Sequence, residues 1–255
     1  MASPPITLLT DFGLTDAYVG IMKGVILSLN PFAPIVDITH EVAPQAVQQG
    51  AFLLSLAHPH FPAGSIHVAV VDPGVGSDRK ALVLETESGI FVGPDNGVLS
   101  AALPESCRFS ADEAGSRVSI PPEVRAIALT KQNYFRQPVS STFHGRDIFA
   151  PVAAHLSLGV SPREMGEPVE SIVAFPPFRA LKREDGSLEG RVLHVDRFGN
   201  LITSVRARDL PSSAVTVTVA GHSIPGLMPN YAEAGPGLCS LIGSEGYLEI
   251  SLPGG

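Results

Sequence analysis

No stretch of this 255-residue sequence concentrates lysine and arginine, and its net charge is −8, from 17 basic against 25 acidic residues. That pattern argues against a phosphate-backbone partner, so no nucleic acid is expected. No apolar run approaches the ~18 residues needed to cross a bilayer, so no membrane partner is expected either. The opening MASPPITLLTDFG has no basic segment and meets an acid at Asp11, which is not the pattern of a secretory leader. Only two cysteines occur, Cys107 and Cys239, far apart and outside any C-x-x-C pattern. They read as small buried residues, not as a disulfide or a zinc site. Neither G-x-G-x-x-G nor G-x-x-x-x-G-K-[ST] is present, so nothing specific points to pyrophosphate binding. The expectation is a soluble, cytoplasmic protein.

What is present is a globular composition, 44% hydrophobic and 16% charged, with 25 glycines and 23 prolines and no collagen-like period. Such a composition implies many tight turns and shaped loops. Apolar ITLLT (6–10) precedes a segment in which Val19, Met22, Ile26 and Leu29 recur at helical spacing. PIVDITH (34–40) is strand-like again, residues 42–61 form a helix bounded by prolines, and SIHVAVVD (65–72) is a third strand. KALVLETESGIFVGPDNG reads as a hairpin, RAIALT (125–130) as a strand, and FHGRDIFAPVAAHLSLG as a helix that Pro151 either kinks or starts late. Alternating strands and helices predict an N-terminal α/β domain over 1–170 with a largely parallel central sheet. Residues 171–255 are expected to hold a Pro-rich, charged linker (about 168–188) and a smaller, barrel-like all-β domain.

Asp11 and Asp72 each close an apolar strand and precede a glycine-containing turn. In open α/β sheets ligands bind beyond the carboxyl ends of the strands, so both carboxylates would face one crevice. A carboxylate accepts two hydrogen bonds, which suits the vicinal hydroxyls of a ribose. The alternative is that each aspartate only caps the next helix or turn. Seven residues after Asp72 comes Arg79, a natural partner for that acid. His144, at the start of a helix, would feel a dipole that opposes its protonation; it too has a purely structural reading. Asn200, in DRFGN, carries an amide able to read a purine edge, although from these residues alone an ordinary β-turn is the preferred reading. His58-x-His60 could form a metal pair, but no third ligand falls at a diagnostic spacing, and no metal is expected.

LLTDFGLTDAYVGIMKG, VVDPGVGSDRK, GPDNGVLS, TFHGRDIFAPVAAHL, DRFGNLITSV and SEGYLEIS occur in an order that resembles the S-adenosyl-L-methionine hydroxide adenosyltransferases, relatives of fluorinase and chlorinase. The resemblance spans essentially the whole chain. It implies hydrolysis of S-adenosyl-L-methionine to adenosine and methionine, with that molecule as substrate and no cofactor. It also implies catalytic roles for Asp72, Arg79 and His144 at the attacking water, and ribose binding by Asp11. Asn200, Ser244 and Glu249 would lie around the adenine and the methionine end, with backbone near Leu252 closing the base pocket. A homotrimer with active sites at subunit interfaces is implied as well. Two alternatives accompany this expectation, a halide-using, chlorinase-like transferase and a non-catalytic adenosine or S-adenosylmethionine binder. Asp72 favours water, because a carboxylate repels an attacking anion but orients a water. Gly243 departs from the pattern, standing where an asparagine often precedes the serine.

Overall fold

The computed structural model describes residues 3–212 and 214–254. The chain forms two compact units that divide between Pro177 and Phe178. In the first unit, strands β1 (Ile6–Thr10), β2 (Ile35–Thr39), β3 (Ser65–Val70), β4 (Ala81–Glu85), β5 (Gly89–Pro94), β7 (Arg125–Leu129) and β8 (Gly166–Pro168) build one seven-stranded sheet. Its order is β2-β1-β3-β5-β4-β7-β8. The β2–β1, β1–β3 and β3–β5 pairings are parallel, while β4 and β8 run against their neighbours. A separate ribbon pairs β6 (Ser116–Ser119) with β9 (Ser171–Ala174), so a strand of the first unit lies inside the segment read as linker.

Helices α1 (Tyr18–Leu29) and α3 (Ala150–Ser157) cover one face of the sheet, and α2 (Val47–Ala57) the other. Strand alternation makes this possible. Leu8, Val68 and Val70 pack with Met22, Ile26 and Phe149, whereas Leu9, Ala69 and Val71 pack with Leu54 and Leu99. Of the helical residues expected in the core, Val19, Met22 and Ile26 are buried, but Leu29, in the last residue of α1, is exposed. Pro151 starts α3 instead of kinking a longer helix. Ahead of it, Gly145–Phe149 forms a π-turn, a rare geometry concentrated at functional sites.

His67, on β3, is fully enclosed: its Nδ1 lies 2.9 Å from the Thr7 hydroxyl and its ring packs on Phe91, Phe61 and His58. Burial and the neighbouring His58 push its pKa down to about 4. The unfolded chain takes up that proton near pH 6.5, so the stability this ring contributes is complete above pH 6.5 and is lost as pH falls toward 4. Unfolding in urea at pH 7 and pH 4.5 should show a loss of up to ~3 kcal/mol from this group. A His67→Gln variant should show a smaller drop between the same two pH values.

The second unit is built of β-strands, as expected, with single 3-10 turns at Ala207–Asp209 and Tyr231–Glu233 among its described residues. Strands β12 (Val192–Val195), β13 (Leu201–Arg206), β17 (Tyr247–Ser251) and β16 (Cys239–Ile242) form an antiparallel sheet in that order. Two two-stranded ribbons accompany it, β10 (Leu181–Lys182) with β11 (Leu188–Glu189) and β14 (Thr216–Val219) with β15 (His222–Pro225). Both cysteines are free thiols; Cys239 is buried on β16 and Cys107 is partly exposed. Among the described residues no helix is long and apolar enough to cross a membrane.

Candidate active site

Strands β1 and β3 pair in parallel with Thr10 opposite Val70. The chain therefore releases Asp11 and, two residues past Val70, Asp72 from neighbouring strands at the same edge of the sheet. Asn96, in the GPDNG segment, donates from its side-chain amide to the Val71 carbonyl at 2.8 Å and fixes the exit of β3 immediately before Asp72. The next turn is held by Val75 N–H on the Asp72 carbonyl and Ser77 N–H on the Gly74 carbonyl. It brings Arg79 back across Asp72.

The acid and the base meet in a bidentate pair. Arg79 Nε donates to Asp72 Oδ1 at 2.9 Å, and Nη2 donates to Oδ2. Both side chains are shielded, at 5% and 10% of full exposure, and the guanidinium lies over the Phe149 ring at 5.5 Å. Nη2 also reaches His144 Nδ1 at 2.7 Å. A guanidinium has no acceptor to offer, so His144 receives that bond on an unprotonated Nδ1. The ring is therefore neutral, with its proton on Nε2. Burial first, and the Arg79 cation second, lower the His144 pKa, against the Asp72 and Asp147 carboxylates that raise it. Position at a helix start, the effect expected from sequence, is not what depresses it most.

Asp11 sits in a turn braced from three sides. Thr10 Oγ1 accepts Phe12 N–H at 3.2 Å, the His40 carbonyl accepts Gly13 N–H at 2.8 Å, and Asp11 Oδ2 accepts Gln45 N–H at 2.8 Å. Its second oxygen keeps its full accepting capacity. Phe12, next to Asp11, and Phe143, which precedes His144, meet edge to face at 5.8 Å, and Tyr18 joins both. With Ser140, Thr142 and Arg146 they line a hollow of about 430 Å3 in the first unit.

The remaining residues expected at the site belong to the second unit. Asn200 immediately precedes β13, and Asp196 organises its turn: Oδ1 accepts the N–H of Phe198 and of Asn200, and Oδ2 accepts Asn200 Nδ2–H at 2.9 Å. That bond fixes the amide orientation and leaves the second Nδ2–H and Oδ1 of Asn200 with bonding capacity. Leu201 pairs with Ile250 and Ile202 with Glu249, so Asn200 lies near the end of β17 where Leu252 emerges, exposed. Ser244 occupies the β16–β17 turn at the other end of that strand. Glu249 accepts a hydrogen bond from the Tyr231 hydroxyl, and burial together with that carboxylate pushes the Tyr231 pKa up to about 12. A Cβ at Gly243 would meet the Glu249 carboxylate, the movable end of a flexible side chain, so the structure gives no reason for glycine where an asparagine was expected.

Asn96, Asp196 and Tyr231 escaped sequence reasoning, although the first two lie inside the GPDNGVLS and DRFGNLITSV motifs. They act on a backbone carbonyl or on another side chain, which spacing does not reveal. Among the described residues no group of three or more His, Cys, Asp or Glu is placed to hold a metal ion; His58 instead packs edge-on against Phe91.

Residues 6–166 match the SAM hydroxide adenosyltransferase N-terminal domain, and residues 190–255 match the C-terminal domain of the same family. A protein of Salinispora arenicola named (R)-S-adenosyl-L-methionine hydrolase is 38% identical over 259 residues, covering 100% of this chain and 93% of the relative. One of the same name from Methanocaldococcus jannaschii is 37% identical, covering 96% and 87%. A fluorinase of an Actinoplanes species is more distant, at 26% identity over 98% of this chain and 91% of its own. A crystal structure of an uncharacterized conserved protein from Thermotoga maritima superposes with a TM-score of 0.83 at 34% identity, covering 97% of this chain and 92% of that one.

Proposed function

The chain belongs to the SAM hydroxide adenosyltransferase family, and from that premise we propose that it hydrolyses the (R) epimer of S-adenosyl-L-methionine to adenosine and L-methionine. The observation that carries this reading is the contact of Asp72, Arg79 and His144 beside the Asp11 turn. The names borne by the relatives at 37% and 38% identity support the substrate and its epimer.

The reaction joins a water oxygen to C5′, breaks the C5′–S bond with its electron pair passing to sulfur, and releases one proton. Sulfur leaves as a neutral thioether, so no general acid is required, and we infer that no cofactor is either. The difficulty lies in raising a nucleophile at neutral pH. Of the three polar groups at the β3 exit, only Asp72 retains lone pairs for a water proton. Arg79 has none, and His144 Nδ1 is occupied by Arg79. Asp72 is thus the acceptor that orients the water. Arg79, with Nη1 committed only to a long 3.5 Å approach to the Lys80 carbonyl, stabilises the developing hydroxide. His144 holds the guanidinium in place, and it does so only while neutral. Hydroxide meeting a sulfonium cancels two charges, so the aromatic wall of Phe12, Tyr18 and Phe143 suits the transition state better than the separated ions.

Asp11 holds the ribose hydroxyls in this scheme. Asn200, oriented by Asp196, reads the adenine edge, Glu249 and Ser244 take the methionine end, and backbone near Leu252 closes the base pocket. The reactive trio and Asp11 are carried by the first unit and the remaining contacts by the second, which fits a homotrimer whose sites join the first unit of one subunit to the second unit of the next. Light scattering should then return about three times the 26.7 kDa chain mass. Two free thiols suit the reducing cytoplasm as its compartment.

The test is incubation of purified protein with each sulfonium epimer, following adenosine by chromatography. Adenosine from the (R) epimer, in preference to the (S) epimer, is the expected result. Chloride- or fluoride-dependent formation of a 5′-halogenated nucleoside would replace hydrolysis with halogenation, and binding without turnover would make the protein a sensor. Asp11→Ala should raise KM about tenfold or more with a smaller change in kcat, the mark of a group that grips the nucleoside.

A further inference from the structure

The segment that carries His144 folds around a carboxylate for which the chemistry above has no use. Asp147 is completely buried in the π-turn Gly145–Phe149. Its Oδ2 accepts the Ser140 N–H at 2.9 Å and Arg146 Nη2 at 2.8 Å, its Oδ1 accepts Arg146 Nε at 2.6 Å, and Arg136 Nη1 lies 3.4 Å from Oδ1. The Asp147 carbonyl accepts Arg136 N–H at 2.8 Å, and its own N–H donates to the Phe143 carbonyl at 3.1 Å. Both ends of the 136–143 loop are thereby tied to one residue. Ser140 is the point where this anchoring reaches the site: its hydroxyl accepts at 3.0 Å the N–H of Phe143, the residue next to His144, and the Ser140 backbone favours the protonated His144 ring.

We propose that Asp147 is a positioning residue for hydrolysis: it anchors the Ser140 peptide, and through it holds the His144 ring against Arg79. The proposal rests on the reading that neutral His144 fixes the guanidinium. A buried carboxylate suits the task better than an amide. Each of its oxygens accepts from a donor that cannot turn into an acceptor, so the cluster has one hydrogen-bonding arrangement and the loop one position. Burial works to raise the Asp147 pKa, but the bonds from Arg146 and Ser140 outweigh it and hold the group at about 2, charged throughout the working range. An asparagine would set its NH2 against the guanidinium of Arg146 or against the N–H of Ser140.

The charges around His144 are Arg79 and Asp72 from the β3 turn, Asp147 and Arg146 from the π-turn, and Arg136 behind Asp147. Asp147 favours the imidazolium and Arg146 screens it. In the full-length protein, Asp147→Asn should lower kcat about tenfold or more, change KM by less than about threefold, and move the acid limb of kcat to lower pH. Arg146→Gln, which unmasks the carboxylate, should move the same limb to higher pH. Variants that keep the parental kcat and acid limb while folded, as judged by circular dichroism, would overturn the proposal. If Asp147→Asn does not fold, the absence of a shift in Arg146→Gln would overturn it by itself. If the parent shows no hydrolysis, the functional reading fails, and the His144 imidazole titration followed by NMR decides the positioning role separately. Opposite shifts in the two variants uphold it, and an unmoved titration sinks it.

Discussion

Replacing Asp72 with asparagine is expected to lower kcat by about 10²–10⁴-fold, with KM for S-adenosyl-L-methionine within about threefold of the parent. The substitution is nearly isosteric, so the β3 exit held by Asn96 on the Val71 carbonyl should persist. Two things are lost together. The amide keeps one acceptor oxygen where the carboxylate presented two to Nε and Nη2 of Arg79, so the guanidinium is no longer gripped as a fork. In the proposed reaction the attacking water also loses its charged acceptor, and His144 Nδ1 cannot replace it because it already takes a bond from Arg79. Steady-state adenosine release measures the effect, and a thermal melt separates it from unfolding. A variant turning over at the parental rate would remove Asp72 from the chemistry.

An effect of comparable size is expected from a position that touches no ligand. Gly76 has φ +78°, and a Cβ there would run into the Ser141 carbonyl oxygen. Both colliding parts are backbone, so no side chain can swing aside. The 72–79 turn and the 136–143 loop would have to separate, and the 2.7 Å contact joins Arg79 at the end of that turn to His144, the residue that follows that loop. Displacement of a reacting group by about 1 Å can cost 10²-fold in rate, and Gly76→Ala is expected to lose about that much kcat. A left-handed alanine adds strain of roughly 1–3 kcal/mol, which a thermal melt should register. Gly74 is the control: it lies outside the left-handed region, and its added Cβ would meet no backbone atom, only the Ser77 hydroxyl at 3.3 Å and, at ordinary contact distances, Arg79 Cγ at 3.5 Å and Asp72 Oδ1 at 3.8 Å. Gly74→Ala should therefore stay near the parent in both measurements. Equal behaviour of the two variants would show that the close approach of the loops does not matter.

The sequence revealed the carboxylates because strand ends are easy to see. Asp11 and Asp72 each terminate an apolar run, and the 72–79 spacing alone suggests a partnered acid. Chain spacing could not show that Arg79 meets His144, since 65 residues separate them and only the packing of the two loops brings them within 2.7 Å. The π-turn was equally hidden. Ile148 and Phe149 continue an apolar pattern that reads as ordinary helix, and only the buried Asp147 cluster shows where the backbone widens. β9 escaped because its four residues lie among prolines and charges, and it gains strand character by pairing with β6, which is distant in sequence. Leu29 fits the helical period but falls in the last residue of α1, where the expected core contact is replaced by exposure.

The parallel register of β1 and β3 has a consequence for how such a protein can change over time. Asp11 and Asp72 leave adjacent strands of one rigid sheet, yet each belongs to its own loop with its own braces, Gln45 and His40 for one, Asn96 and Arg79 for the other. Under the proposed function, grip on the sugar and choice of attacking species are therefore inherited as separable parts. A lineage could rewrite the loop after β3 for a different incoming group while leaving recognition of the nucleoside untouched.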